Sequence, residues 1–159
     1  MKTNIRPMTG ADKAAIMETL RALPEFTPEE VVVAEEVIDS YLEKSLGSGY
    51  HILVAESASS VAGYVCYGPT PMTKGGWDMY WLAVDARKQG QGIGRGLMAF
   101  AEDRIRESDG RLIIIETSGR PEYEKTRRFH ELQGYAEVGR IADFYAPGDD
   151  KLFFEKRLP

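Results

Sequence analysis

The chain has 159 residues, of which 43% are hydrophobic, and a formal net charge of −5. That length suffices for one domain with a sizeable core, and the acidic balance argues against sequence-independent nucleic-acid binding, which needs a basic surface. No apolar stretch approaches the roughly 20 residues that cross a bilayer, and no apolar segment typical of a secretory signal follows the N-terminus. We therefore expect a cytoplasmic protein with no nucleic-acid or membrane partner.

The first half of the chain predicts a strand, two helices and an antiparallel pair of strands. A short strand begins at Ile5. Thr9 and Thr27 are each predicted to cap a helix, because a hydroxyl oxygen accepts a hydrogen bond from a free amide of the first helical turn. The strand pair is predicted at residues 51–56 and 61–67. The single cysteine, Cys66, excludes an internal disulfide and fits a small buried position in this pair better than a nucleophile.

The second half of the chain alternates strands with helices. Strands are predicted at residues 79–84, 111–116, 136–142 and 151–157. The helix after the first of these strands carries an apolar stripe that we expect to face the core, formed by Ile93, Leu97, Ala101 and Ile105. The strand at residues 111–116 is apolar throughout its centre, so burial on both faces is expected. The last helix, residues 121–132, should end at Gly134, since glycine readily takes the left-handed conformation after a helix.

The resulting order of elements is β α α β β β α β α β β. It predicts an α/β fold in a single domain, residues 1–159, with a mixed sheet of about seven strands and about four helices.

A glycine-rich stretch, residues 89–96, lies between a strand and a helix and reads Gln-Gly-Gln-Gly-Ile-Gly-Arg-Gly. Glycine permits a positive φ and lets a ligand approach the backbone closely. The start of a helix adds free N–H donors and the positive end of a dipole. The stretch therefore predicts a binding site for a phosphate or pyrophosphate group.

Two well-known phosphate motifs compete for this stretch. A P-loop is excluded because no Lys-Ser or Lys-Thr follows these glycines. A dinucleotide site is favoured by Gly94-x-Gly96 and by Glu116, which follows about 20 residues later, where a ribose-binding acid belongs. Against that site, residues 85–89 separate the strand from the glycines, and the antiparallel first half does not supply the repeated βα units of a dinucleotide fold.

A third pattern, Gln89-x-x-Gly92-x-Gly94, resembles the coenzyme A loop of the Gcn5-related N-acetyltransferase (GNAT) superfamily. The context agrees: LAV lies on the preceding strand, DARKQGQGIGRGLMAFAED spans the loop and its helix, and TRRFHELQGY is similar to the family's second signature helix. The superfamily shows the same order of elements. The resemblance implies an N-acetyltransferase that uses acetyl-CoA as cosubstrate. No metal is expected, because the two histidines, His51 and His130, stand apart from other metal ligands.

The resemblance also implies which residues bind the cosubstrate. Loop amides would bind the pyrophosphate, a role that falls on Gln89, Gly90, Gly92, Gly94 and Arg95. The pantetheine arm would pair with the preceding strand at Leu82, Ala83 and Val84. A backbone N–H of that strand would polarise the thioester oxygen in the manner of an oxyanion hole. The side chains of Leu82 and Val84 fit a place in the core equally well.

Acetylation of an amine requires a base, because the acceptor is an ammonium at neutral pH. We expect the base near the end of one strand or the start of its neighbour, where the sequence offers Glu116, Asp78 and Tyr80. A water chain to such a carboxylate would serve equally well, and Glu116 is also consistent with a purely structural acid at a strand end.

The departing thiolate needs an acid. The family often uses a tyrosine of the last helix, and here His130 holds that position. Imidazole donates a proton when it is charged or as the appropriate neutral tautomer. Tyr123 and Tyr145 are the alternatives.

The acceptor is not fixed by any motif. The resemblance places its pocket at the link between the first two helices and at the last strands, where Glu25, Asp149 and Asp150 would attract a cationic amine. We expect transfer to the primary amine of a small-molecule or amino-acid-like acceptor. A protein α-amino or lysine amine is the nearest alternative, and a coenzyme-A-binding module without catalysis is another. The superfamily includes homodimers paired at strand edges, but nothing in this sequence predicts one.

Overall fold

Residues 2–159 are described by a computed structural model of the protein, and their elements follow the predicted order. The strands are β1 (Thr3–Pro7), β2 (His51–Ser57), β3 (Ser60–Pro69), β4 (Gly76–Val84), β5 (Leu112–Ser118), β6 (Ala136–Ala146) and β7 (Asp149–Arg157). The helices are α1 (Lys13–Ala22), α2 (Pro28–Lys44), α3 (Ile93–Glu107) and α4 (Glu124–Leu132). This confirms the predicted α/β fold with a seven-stranded mixed sheet and four helices.

One seven-stranded sheet contains all the strands, in the order β1-β2-β3-β4-β5-β7-β6. Only β4 and β5 are parallel neighbours, and their register runs from Gly76–Leu112 to Met79–Ile115 and stops there. The pairing of β3 with β4 shifts at the same level, because Cys66 pairs with Trp81 whereas the next residue pairs with Met79. Tyr80 is therefore the extra residue of a β-bulge, which bends a strand locally. Beyond it, the edge of β4 that faces β5 is unpaired.

Each face of the sheet carries its own core. The predicted stripe of α3 is buried throughout and packs with sheet residues such as Ile113 and Phe154. On the other face, α1 and α2 bury Leu20 and Ile38 against β2 and β3. Successive side chains of β2 point to opposite faces of the sheet, so Leu53 packs in the core under α3 and Val54 in the core under α1 and α2.

The predicted hydroxyl cap is present at Thr27, whereas the Thr9 hydroxyl donates to the Asp12 carboxylate at 3.2 Å. The Thr27 hydroxyl accepts from the Glu30 N–H at 3.2 Å, and Pro28 occupies the first helical position of α2. Thr9 opens a short 3-10 turn that leads into α1. At the end of α4, Gly134 has the expected positive φ of 95°. Cys66 is buried, which raises the pKa of its thiol well above the usual range, so it is no nucleophile.

Three predicted details of the strands are wrong. β4 begins at Gly76 rather than at residue 79. At this start of the strand the Gly76 N–H donates to the Thr73 hydroxyl. β6 runs on to Ala146, four residues past the predicted end, because a register shift after Ile141 lets the strand resume near the turn. β5 is not buried on both faces: Ile114 is half-buried and Glu116 exposed, since none of its residues reaches the core under α1 and α2.

Candidate active site

The glycine-rich loop folds into a concave stretch of backbone in front of α3. Gly90 and Gly92 have φ values of 80° and 82°, a conformation that other residues adopt only with strain. Gly92 is the N-cap of α3, and no described side chain caps the first turn. Gly94 lies against α4, where an added Cβ would stand 3.3 Å from Cζ of Phe129. The loop thus presents free N–H groups at the positive end of a 15-residue helix, which suits an anion.

A cavity of about 350 Å³, which we call the loop cavity, lies beside this stretch. It is lined by the eight residues that the sequence assigns to cosubstrate binding: Leu82, Ala83, Val84, Gln89, Gly90, Gly92, Gly94 and Arg95. Lys88 and Lys125 add positive charge to the same lining. The structure therefore brings the whole predicted binding set together.

Side chains hold the loop in place. The Gln89 amide donates to the Val84 carbonyl at 3.2 Å and accepts from Nζ of Lys125 at 3.0 Å, so it joins the end of β4 to α4. Asp85 accepts from the side chain and the backbone N–H of Arg87, and these bonds lower its carboxyl pKa to about 2. Both contacts fix the path of the chain between β4 and the glycines.

A second cavity, of about 560 Å³, lies where β4 and β5 separate; we call it the wedge cavity. Residues 79–82 form one wall and residues 115–118 the other. The α1–α2 link, the first turn of α2, α4 and the β6–β7 hairpin complete it. Five of the predicted catalytic candidates line it, namely Glu116, Tyr80, His130, Tyr123 and Tyr145. The sixth, Asp78, is absent from the lining described, and its carboxylate accepts from the Thr70 hydroxyl at 2.7 Å.

Glu116 is exposed to the cavity but paired. Its carboxylate lies 2.7 Å from Nζ of Lys151 on β7, the strand that pairs with β5. The Lys151 ammonium also stands 4.2 Å from the centre of the Phe144 ring. The Glu116 carboxylate is therefore held in an ion pair at the edge of the cavity.

Tyr123 and Arg120 connect three walls of the wedge cavity. The Tyr123 hydroxyl donates to the Glu30 carboxylate at 2.8 Å, and burial raises the pKa of this phenol well above its usual value. The Arg120 guanidinium lies 3.7 Å from Glu30 and 3.3 Å from Asp149. The first turn of α2 is therefore tied to the segment that precedes α4 and to the β6–β7 hairpin.

His130 lines the wedge cavity and is only 4% exposed. Rings of Phe129, Tyr135 and Phe154 surround it, and its Nδ1 has no hydrogen-bond partner among residues 2–159. Burial lowers the pKa of this imidazole to about 4, so it is neutral at pH 7. Donation from a charged imidazole is thus excluded, and donation from a neutral tautomer stays a prediction.

The buried histidine makes stability depend on pH. The unfolded chain takes up the proton near pH 6.5 but the folded chain only near pH 4, so the unfolded state holds more protons between these values. We expect the free energy of unfolding to fall by about 1.5 kcal/mol between pH 6.5 and pH 5, measured by urea denaturation. His130→Phe should remove most of this slope and His51→Phe should keep most of it; an equal slope in all three proteins would contradict the assignment.

The resemblance placed Glu25 at the acceptor pocket but gave it no place beside the coenzyme. This residue of the α1–α2 link lines the wedge cavity and the loop cavity, as do Leu82 and Thr126. The three residues therefore mark the junction of the two cavities. No motif indicates that the link folds across β4 and brings Glu25 to the loop cavity as well, so this second position could not be read from the sequence.

None of the helices within residues 2–159 has the length and apolarity needed to span a bilayer. The same residues contain no group of three or more His, Cys, Asp and Glu side chains arranged to hold a metal ion.

Comparison with known proteins identifies the family. A family model described as the acetyltransferase (GNAT) domain matches residues 48–137, and a search of curated proteins finds no match. A crystal structure of a GNAT-family protein from Desulfovibrio desulfuricans is 38% identical, with a TM-score of 0.94 over 98% of this chain and 99% of that one.

Two other solved structures share the fold at lower identity. The ribosomal-protein-alanine N-acetyltransferase from Brucella melitensis is 24% identical, with a TM-score of 0.75 over 98% of this chain and 99% of that one. The PaiA N-acetyltransferase from Thermoplasma acidophilum, solved with coenzyme A, is 14% identical, with a TM-score of 0.78 over 99% of this chain and 100% of that one. Because the family model covers more than half of the chain and the first structure matches nearly all of it, the protein belongs to the GNAT acetyltransferase family.

Proposed function

We propose that the protein transfers the acetyl group of acetyl-CoA to the primary amine of a small cationic acceptor. The observation that carries this proposal is the junction of the two cavities. The loop cavity contains the anion-binding backbone, the wedge cavity contains the proton-transfer candidates, and Glu25, Leu82 and Thr126 border both.

The loop cavity fits the coenzyme. Free amides after Gly90 and Gly92 suit a pyrophosphate, and Arg95, Lys88 and Lys125 add positive charge to its lining. The unpaired edge of β4 offers backbone donors and acceptors to an extended arm that contains amide groups. Bound acetyl-CoA supplies a thioester whose carbonyl carbon an amine attacks. A backbone N–H of residues 82–84 would then donate to the carbonyl oxygen as charge develops on it.

The charge of the wedge cavity supports a cationic acceptor. Among residues 2–159 its lining includes one guanidinium, Arg120, and five carboxylates: Glu25, Glu29, Glu30, Glu116 and Asp149. Arg120 and Lys151 pair with three of these carboxylates, which leaves Glu25 and Glu29 without an ion pair in the described chain. Aromatic rings of Phe26 and Trp81, 5.9 Å apart, lie beside them. Acidic groups next to aromatic faces suit an ammonium.

The closure of the wedge cavity supports a small acceptor. An extended peptide needs an open groove between the α1–α2 link and the β6–β7 hairpin. Arg120 instead joins Glu30 to Asp149 across that gap, and Tyr123 reinforces the contact at Glu30.

A protein α-amino group is the second candidate acceptor. It is favoured by Phe144 and Tyr145, which are 49% and 48% exposed on β6 with their ring centres 5.0 Å apart. Such a pair offers an apolar surface to the side chain of a first residue. Faster acetyl transfer to a short peptide than to free amines would show that a protein α-amino group is the acceptor.

The first experiment is titration calorimetry with acetyl-CoA, coenzyme A and NAD(H), followed by thiol release over a panel of acceptors. The panel should contain diamines, their monoamine and amino-acid counterparts, and short peptides. We expect saturable binding of both coenzyme A forms, none of NAD(H), and the fastest release with amines that lack a carboxylate. Binding without release over the whole panel would instead favour a non-catalytic module. Absence of coenzyme A binding would overturn the proposal.

A further inference from the structure

The junction of the two cavities has a carboxylate to which no proton transfer has been assigned above. Glu25 lies in the short link between α1 and α2, is half-buried, and lines both cavities. An acetyl group that is transferred from a ligand in the loop cavity to a ligand in the wedge cavity must pass through this junction. Glu116, the candidate from the sequence, lines the wedge cavity alone.

The two carboxylates differ in their surroundings. Glu116 is engaged in an ion pair, 2.7 Å from the Lys151 ammonium. Glu25 has no ion pair within residues 2–159. Burial raises the pKa of the Glu25 carboxyl, against smaller opposing effects of its own backbone N–H and of Lys125. Because desolvation favours the protonated form of a carboxyl group, it makes the Glu25 carboxylate a stronger base than it would be in water.

Other charged and titratable groups face the same junction. On the loop side they are Lys88, Arg95 and Lys125. On the wedge side the charged groups are Glu29, Glu30, Glu116, Arg120 and Asp149. Lys125 donates to Gln89, and burial lowers the pKa of the His130 imidazole to about 4, which makes this histidine a poor base.

We propose that Glu25 is the catalytic base, which removes a proton from the acceptor ammonium at the junction of the two cavities. This inference rests on the proposed acetyl transfer. The Glu25 carboxylate takes one proton from R–NH3+ and leaves the free amine. The nitrogen then bonds to the thioester carbon as the carbon–sulfur bond breaks. The second nitrogen proton is transferred to the sulfur, giving the amide and the coenzyme A thiol, and Glu25 returns its proton to water.

The test compares Glu25→Gln with Glu36→Gln, a matched change at an exposed position on α2. General bases contribute roughly 100-fold or more to the rate. We expect Glu25→Gln to lower kcat/KM about 100-fold at pH 7 and Glu36→Gln to leave it unchanged. The decisive readout is pH: the defect should shrink as the pH approaches the acceptor's own pKa, because a free amine needs no base. Glu25→Asp, which keeps a carboxylate, should restore part of the rate.

The outcomes separate the two proposals. A defect of equal size at every pH, or normal turnover by Glu25→Gln, would overturn the role of Glu25 while the acetyl transfer stands. Wild-type protein that releases no thiol with any acceptor would overturn both. Calorimetry with coenzyme A should give the same affinity for wild type and Glu25→Gln within about threefold, since the proposed role concerns the acceptor.

Discussion

Substitution of Gly92 by valine is expected to weaken coenzyme A binding about 100-fold or more. The φ of 82° at this N-cap is strained for a β-branched residue, so the backbone must move and the amides at the start of α3 change direction. A hydrogen bond to a charged group contributes about 1.5–3 kcal/mol, so the loss of two removes at least 100-fold in affinity. Calorimetric titration with coenzyme A measures the effect.

Gly49→Val is the matched control. Gly49 has a φ of 85° and open space around its missing Cβ, as Gly92 does, but it lies in the turn before β2, away from both cavities. The two variants should lose similar amounts of stability, and only Gly92→Val should lose affinity. Equal affinity of Gly92→Val and the wild type would show that the phosphate groups bind elsewhere.

Replacement of Glu102 by alanine should lower the free energy of unfolding by about 3–5 kcal/mol. This carboxylate of α3 is buried, accepts from the Tyr135 hydroxyl at 2.7 Å, and lies 2.9 Å from the Lys156 ammonium on β7. Its removal leaves a largely buried ammonium and a buried hydroxyl without their acidic partner. Urea denaturation at pH 7 measures the loss.

Two variants test that explanation. Asp103→Ala removes the neighbouring carboxylate, whose pair with Arg106 is exposed, and should change stability by less than about 1 kcal/mol. The double replacement Glu102→Leu with Lys156→Leu removes both charges and should recover most of the loss. If the double variant is as unstable as Glu102→Ala, the effect arises from packing rather than from the unpaired charge.

The order of elements and the loop residues were predictable because they depend on local patterns. Apolar spacing identifies the stripe of α3, the hydroxyl cap at Thr27 identifies the start of α2, and the glycines define a single loop between β4 and α3. These features need only a few neighbouring residues. The confirmed family then supports the order in which they occur.

The arrangement within the site was less predictable because it depends on contacts between distant segments. Lys151 lies 35 positions from Glu116 in the chain, yet pairs with it across β5 and β7. The burial that neutralises His130 comes from rings on α4 and β7. The bulge at Tyr80 and the place of Glu25 depend on how β4 meets β3 and the α1–α2 link. No single stretch of sequence contains these relations.

The incomplete pairing of β4 with β5 links ligand binding to stability. β4 and β5 pair at only four positions, which leaves the rest of the β4 edge open toward the wedge cavity. This open edge exists only in the folded sheet, so a ligand that binds there binds the folded chain and not the unfolded one. Mass action then raises the apparent free energy of unfolding with ligand concentration, by about 2.7 kcal/mol at 100 times the dissociation constant. Protein that retains coenzyme from its source would therefore look more stable than stripped protein of identical sequence, so variants can be ranked only at equal occupancy.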